Sequence, residues 1–198
     1  SITKNTKVII VPHMFGVPAD IKPIKDFAEK NNLTIIEDCA QSIGAYYQGK
    51  PVGYYGHLSV FSFYATKVIS TGQGGMVLTS IPKIKERIID LTTYDSRESY
   101  KPAYNYTMSD ISAALGLSQL EKLHEFISRR IEIGKVYNQN LKNIFLLANY
   151  KIGFPYRYII QCKNKIQRDY LKEKLREKGI ISSLPFILPL HRYFNFPK

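Results

Sequence analysis

The sequence predicts an α/β fold with a mostly parallel sheet, followed by the start of a second, smaller α/β unit. Three observations carry this. Two short β-branched runs, Lys7-Val-Ile-Ile-Val-Pro12 and Leu33-Thr-Ile-Ile-Glu-Asp38, flank one amphipathic stretch, which is the pattern of a strand–helix–strand unit. The first run is continuously apolar rather than alternating, as in a strand covered on both faces. The chain has 198 residues, 44% hydrophobic and 13% aromatic, enough to bury a core in one domain or one and a half. That composition excludes intrinsic disorder.

The elements follow in order. Residues 7–12 read as a buried parallel strand and His13–Pro18 as the loop after it. Residues 19–31 read as a helix, because Ile21, Ile24, Phe27 and Ala28 recur at helical spacing with Lys and Glu opposite. The second strand, 33–38, ends in two carboxylates. A glycine-rich loop leads to a third strand, Leu58–Tyr64, and Ala65–Gly74 joins it to a fourth, Gly75–Thr79. Residues 81–93 look helical, and a Tyr-rich loop, Tyr94–Tyr106, follows. Ser109 is placed to cap the next helix, and helical periodicity continues to Leu141. In the tail, Tyr156–Gln161 reads as a strand, Gln167–Lys178 as a helix stopped by Gly179, and Ile180–Phe186 as another strand.

The net charge is +12, and it is uneven: +2 over residues 1–120 and +10 over 121–198. A basic tail suggests an anion-binding or nucleic-acid surface. Here Glu173 and Glu177 interleave with the basic residues at helical spacing, which favours a solvated helix face. No stretch approaches the ~20 apolar residues of a membrane span, and no secretory signal pattern is present, so the expected compartment is the cytoplasm. Cys39 and Cys162 form neither a disulfide framework nor a zinc site by themselves.

In open α/β sheets, ligands collect beyond the carboxyl ends of the strands. His13, Asp38, Ser62 and Lys67 all fall there. Lys67 lies in Phe61-Ser-Phe-Tyr-Ala-Thr-Lys67, just past an apolar strand and before Ser70-Thr-Gly-Gln-Gly-Gly75. A lysine amine held beside a buried strand is the type of nucleophile that attacks a carbonyl. Gly72-Gln-Gly-Gly75 leads into a strand, not a helix, which excludes a dinucleotide fingerprint. Cys39, beside Asp38, reads as an inert core thiol. Tyr46, Tyr47, Tyr54 and Tyr55 read as packing or subunit-contact surface, and Met76 and Met108 as core filler.

Several ordered blocks resemble one family. Glu37-Asp-Cys-Ala-Gln-Ser42, Gly49-Lys-Pro-Val-Gly53, Phe61–Lys67, Gly72–Gly75 and Tyr104-Asn-Tyr-Thr-Met-Ser-Asp110 are similar to blocks of the DegT/DnrJ/EryC1/StrS aminotransferases. The resemblance covers essentially the whole chain. It implies fold type I and pyridoxal 5′-phosphate as cofactor, with Lys67 the amine that joins the cofactor aldehyde and then shuttles the proton. Asp38 then faces the pyridine nitrogen, Gln41 lies by the ring and Ser62 donates to the phosphate. Asn105 reaches the phosphate of a neighbouring subunit, which makes a homodimer with shared sites, and His191 approaches the sugar. Thr107 stands where the family commonly has Arg, Gln73 where it often has Glu, and Val68 where it often has a polar residue.

The implied activity is transamination of a keto-sugar nucleotide, with glutamate as the amino donor, in amino-sugar or surface-polysaccharide biosynthesis. The implied division is 1–107 for the cofactor-binding part, 108–145 for connecting helices and 146–198 for the start of the small domain. The chain opens on Ser1 and is short for the family. The resemblance places the phosphate-cradling turn and the residue that stacks on the ring before Ser1. The alternative is a degenerate relative that serves as a binding or regulatory module. A nucleic-acid binder, resting on charge alone, ranks third.

Overall fold

The computed structural model describes residues 2–95, 98, 100–141, 146–147, 153–186, 188 and 190–193. Its centre is a four-stranded sheet in the order β1-β2-β5-β6, from β1 (Val8–Pro12), β2 (Thr34–Asp38), β5 (Leu58–Ser62) and β6 (Gly75–Leu78). β1, β2 and β5 run parallel, with Pro12 opposite Asp38 and Asp38 opposite Val60. β6 returns antiparallel, with Ser62 opposite Gly75. A crossover helix, α1 (Ile21–Lys30), joins β1 to β2, since parallel neighbours cannot be linked by a tight turn. Between β2 and β5 lies a small hairpin, β3 (Tyr46–Tyr47) with β4 (Lys50–Pro51), which the sequence left as loop.

Two buried clusters sit on this frame. One joins Val11, Leu33 and Ile35 to Ile21 and Ala28 of α1, with Tyr47. The other joins Cys39, Ala45, Val52 and Val68 to Phe154 and Tyr156, against Leu123, Phe126 and Ile127. The predicted burial of the first strand holds on one face only. Val11 packs on α1, whereas Ile10 is 64% exposed, because β1 is an edge strand covered from one side. Met76 is likewise exposed rather than core filler, on a β6 whose four residues are all exposed.

The helices fall close to their predicted places. α2 (Pro82–Thr92) starts with proline in its first turn, where no backbone donor is lost. α3 (Asp110–Glu121) is capped by Ser109, whose hydroxyl accepts the Ser112 N–H at 3.3 Å. α4 (Leu123–Leu141) continues after a single non-helical residue. α5 (Lys165–Glu177) is capped by Asn164 and ends where Gly179 takes φ +74°.

The tail differs in its strands. Only β8 (Ile160–Gln161) forms, paired antiparallel with β7 (Leu146–Leu147). Tyr156 cannot extend it, because its N–H is used by the Phe15 carbonyl at 3.0 Å. No strand forms over 180–186. The Ile180 N–H closes the end of α5 on the Leu175 carbonyl, and Ile181 is 95% exposed. A short helix, α6 (Leu190–Tyr193), carries His191.

Candidate active site

Because β1, β2 and β5 are parallel, their carboxyl ends share one edge of the sheet, and the loops beyond that edge carry the predicted residues. Asp38 ends β2, half-buried. One carboxylate oxygen accepts the Ala40 N–H at 3.0 Å, a turn that fixes the side chain and leaves the second oxygen for another donor. Gln41 lies one turn on. Its Oε1 accepts the Phe15 N–H at 3.1 Å and so ties the loop after β1 to the loop after β2. Ser62 ends β5, half-buried, with its hydroxyl oxygen 3.4 Å from the Tyr64 N–H.

Lys67 follows in a hydrogen-bonded loop. Its N–H reaches the Tyr64 carbonyl at 2.9 Å, and the loop base is closed by Phe63 N–H to Gly74 O and Thr71 N–H to Phe63 O, both 2.9 Å. Gly74, at φ +157°, makes the return into β6. The side chain of Lys67 is half-buried, and Nζ lies 5.6 Å from the centre of the Tyr156 ring. The structure therefore gathers Asp38, Gln41, Ser62 and Lys67 at one edge. Asn105 stands apart from them, exposed, and its side-chain hydrogen bond is with the Thr107 hydroxyl of its own segment. His191 is placed on α6, and its side chain lies outside the described residues.

His13 has a structural task. It is buried, its Nδ1 accepts the Ala19 N–H at 3.0 Å, and its Nε2 therefore donates to Glu37 at 2.9 Å. Glu37, fully buried, also takes the N–H groups of Gly53 and Gly56. Burial pushes the Glu37 carboxyl up, but the His13 hydrogen bond and the two glycine N–H groups outweigh it, so its pKa falls below the ordinary 4.5. These contacts pin the loops after β1 and β3–β4 behind the site. Cys39 sits within 4.8 Å of the same groups. Burial, then the Glu37 and Asp38 charges, push its thiol pKa upward, consistent with an inert core residue.

Sequence reasoning missed Phe15 and Tyr156. The Phe15 carbonyl accepts the Tyr156 N–H at 3.0 Å, and the Tyr156 hydroxyl donates to the Thr66 carbonyl at 3.1 Å. No spacing rule links residues this far apart in the chain. Their signal is spatial only.

A mostly parallel α/β sheet carries a strand-end carboxylate, a hydroxyl and a lysine at one edge, and comparison with known proteins gives the family. Residues 1–197 match the profile of the DegT/DnrJ/EryC1/StrS aminotransferase family, and the chain belongs to that family. It is 35% identical over 198 aligned positions to a GDP-perosamine synthase of Escherichia coli O157:H7, covering 96% of this chain and 54% of that protein. Among solved structures, a DegT/DnrJ/EryC1/StrS aminotransferase from Brucella abortus superposes with a TM-score of 0.83 at 30% identity, over 93% of this chain and 51% of that one. Helicobacter pylori PseC, an aminotransferase of pseudoaminic acid biosynthesis, superposes at 0.91 with 25% identity, over 100% of this chain and 58% of that one. The chain thus spans about half the length of the relatives it matches. The fold is that of pyridoxal-phosphate-dependent aminotransferases, and the family uses that cofactor. The side chains at the sheet edge fit it: a carboxylate with a free oxygen suits a pyridinium N–H, an amine an aldehyde, and a hydroxyl a phosphate oxygen. No helix among the described residues is long and apolar enough to cross a membrane.

Proposed function

We propose that the protein transfers an amino group from an amino acid, glutamate, to a keto-sugar carried on a nucleotide, in amino-sugar or surface-polysaccharide biosynthesis in the cytoplasm. The observation that carries this is the meeting of Asp38, Gln41, Ser62 and Lys67 at the carboxyl edge of the parallel strands, in a chain whose family consists of aminotransferases. The GDP-perosamine synthase relationship supports a nucleotide-linked sugar.

Bound pyridoxal phosphate supplies an electron sink for the carbanion formed when the substrate loses its α-proton. The chain's own residues do the rest. Asp38 holds the pyridine nitrogen protonated through a charge-assisted hydrogen bond. Gln41, already fixed by the Phe15 N–H, lies beside the ring. Ser62 donates its hydroxyl to the phosphate. Lys67 Nζ receives the proton from the α-carbon and returns it at the next position. Asn105, exposed and outside this cluster, completes the phosphate site of a second subunit in a homodimer, and His191 approaches the sugar. In this reading 1–107 is the cofactor-binding part, 108–145 the connecting helices and 146–198 the start of the small domain.

The test is spectroscopic. Purified protein mixed with pyridoxal phosphate acquires a visible absorbance band from the lysine-bound cofactor, and Lys67→Ala abolishes it. A band that survives the substitution sinks the assignment of Lys67. A wild-type protein that stays colourless favours the non-catalytic binding module instead.

A further inference from the structure

The contact between Lys67 and Tyr156, far downstream in the chain, has no place in the roles above. Tyr156 is 6% exposed and sits on the second buried cluster beside Phe154, Cys39 and Val68. Hydrogen bonds from its backbone and its hydroxyl hold it. Its N–H is shared between Phe15 O at 3.0 Å and Phe154 O at 2.9 Å, its carbonyl accepts from Arg130 Nη1 of α4 at 3.0 Å, and its hydroxyl donates to Thr66 O at 3.1 Å. The Phe154 N–H adds a bond to Gly16 O at 3.1 Å. Residues 154–156 therefore clasp the loop after β1 on one side and the lysine loop on the other. The Phe15 end of the clasp is the same residue that Gln41 holds.

We propose that Tyr156 is the positioning residue for the Lys67 amine: its ring lies 5.6 Å from Nζ and its hydroxyl anchors the carbonyl that immediately precedes Lys67. This rests on the assignment of Lys67 as the reactive amine. Thr66 is exposed and Lys67 half-buried; the peptide between them is held within its own loop by the Lys67 N–H on the Tyr64 carbonyl, and the Tyr156 hydroxyl adds a second anchor on its carbonyl side. A lysine side chain has rotamer freedom to lose on being held. A cation held within about 6 Å of an aromatic centre is drawn to that face, which narrows the accessible rotamers before the cofactor arrives. Anchoring the Thr66 carbonyl sets the starting point of the side chain, and the ring sets its direction. Arg157, 5.6 Å from the same ring, shares the aromatic with Lys67. Burial raises the Tyr156 phenol pKa, but a hydrogen bond with the Thr66 side chain, the Lys67 charge, and the hydrogen bond and charge of Arg157 bring it below its ordinary value.

The test traps the amine rather than measuring turnover. The wild-type chain, Tyr156→Phe and Tyr156→Leu are mixed with pyridoxal phosphate and reduced with borohydride at intervals. The label at each lysine is then quantified by peptide mass spectrometry. Exposed Lys22 and Lys174 serve as internal references. Wild type is expected to label Lys67 preferentially. Tyr156→Leu lowers the Lys67-to-reference ratio by at least about three-fold, the scale of a lost cation–π contact. Tyr156→Phe, which keeps the ring and the packing but loses the hydroxyl anchor, falls between wild type and Tyr156→Leu. A general loosening of the fold moves all lysines together and leaves no selective loss at Lys67. Equal ratios in wild type and Tyr156→Leu overturn the proposal while leaving Lys67 as the amine. A wild type without preferential labelling at Lys67 overturns the functional reading and this proposal with it.

Discussion

Glu37 shows how much of the site depends on one buried charge behind it. Its carboxylate takes His13, Gly53 and Gly56 as partners and has no exposure to water. Replacing it with Ala strands an imidazole N–H and two backbone N–H groups in the core. Such a loss costs about 3 kcal/mol or more. Urea unfolding of Glu37→Ala is expected to show that drop, with Glu37→Gln intermediate because the amide oxygen still accepts. The pH dependence has a fixed sign. The folded pKa of Glu37 is depressed, so its contribution is complete above its ordinary value of 4.5 and is lost as pH falls through the lower folded value. Wild-type stability, followed by urea midpoint against pH, should therefore fall on the acid side of 4.5, and Glu37→Gln should show less of that fall. Surface pairs such as Arg129–Glu132 at 2.8 Å, with both side chains largely exposed, add little by comparison.

At the scale of elements, the loop after β1 is where chain conformation and long-range contact meet. Gly16 adopts φ +86°, and a Cβ there would collide with the carbonyl of Phe154, inside the clasp. Gly49 has nearly the same backbone, φ +78°, with open space around it. Alanine at Gly49 thus meets backbone strain alone, about 1 kcal/mol, whereas alanine at Gly16 meets strain and a backbone clash, about 3 kcal/mol. Thermal or urea unfolding of the two variants should separate them by about 2 kcal/mol, and equal costs would mean that the 154–156 clasp does not form. This contrast also marks what a linear sequence makes legible. β1, α1, β2, β5 and the cap at Ser109 follow from local periodicity and local hydrogen bonding, and they were readable. Asp38, Ser62 and Lys67 were readable because strand ends are local features and the family blocks surround them. The strand expected over 156–161 is cut to Ile160–Gln161, its start lost because the Tyr156 N–H is claimed by Phe15 and Phe154, and the strand expected over 180–186 does not form, because the Ile180 N–H closes α5. In both cases apolar, β-branched composition was present, but the backbone donors had other partners, and nothing in the pattern records that. Tyr156 was invisible for the same reason.

For the molecule as a whole, the +12 charge loses its weight as a nucleic-acid signal once its neighbours are seen. On α5, Lys174 pairs with Glu177 and Arg176 with Glu173, each at 2.7 Å, so part of the basic charge of this helix is offset by its own carboxylates. The proposed homodimer with shared sites is the feature to test at this scale. Asn105 is exposed between Tyr104 and Tyr106, whose rings stack 5.2 Å apart, and it lies outside the cluster formed by Asp38, Gln41, Ser62 and Lys67. If Asn105 serves the phosphate of a second subunit, Lys67 and Asn105 of any one site come from different chains. Two damaged chains can then make one good site. A holoenzyme of Lys67→Ala is inactive, and one of Asn105→Ala is impaired in cofactor retention. When the two are co-expressed and assort at random, half of the dimers are mixed, and each mixed dimer holds one site with both residues intact. Transaminase activity should recover to about a quarter of wild type, above either variant alone. Recovery no greater than the average of the two separate variants would place both residues in the same chain's site and remove Asn105 from the subunit boundary.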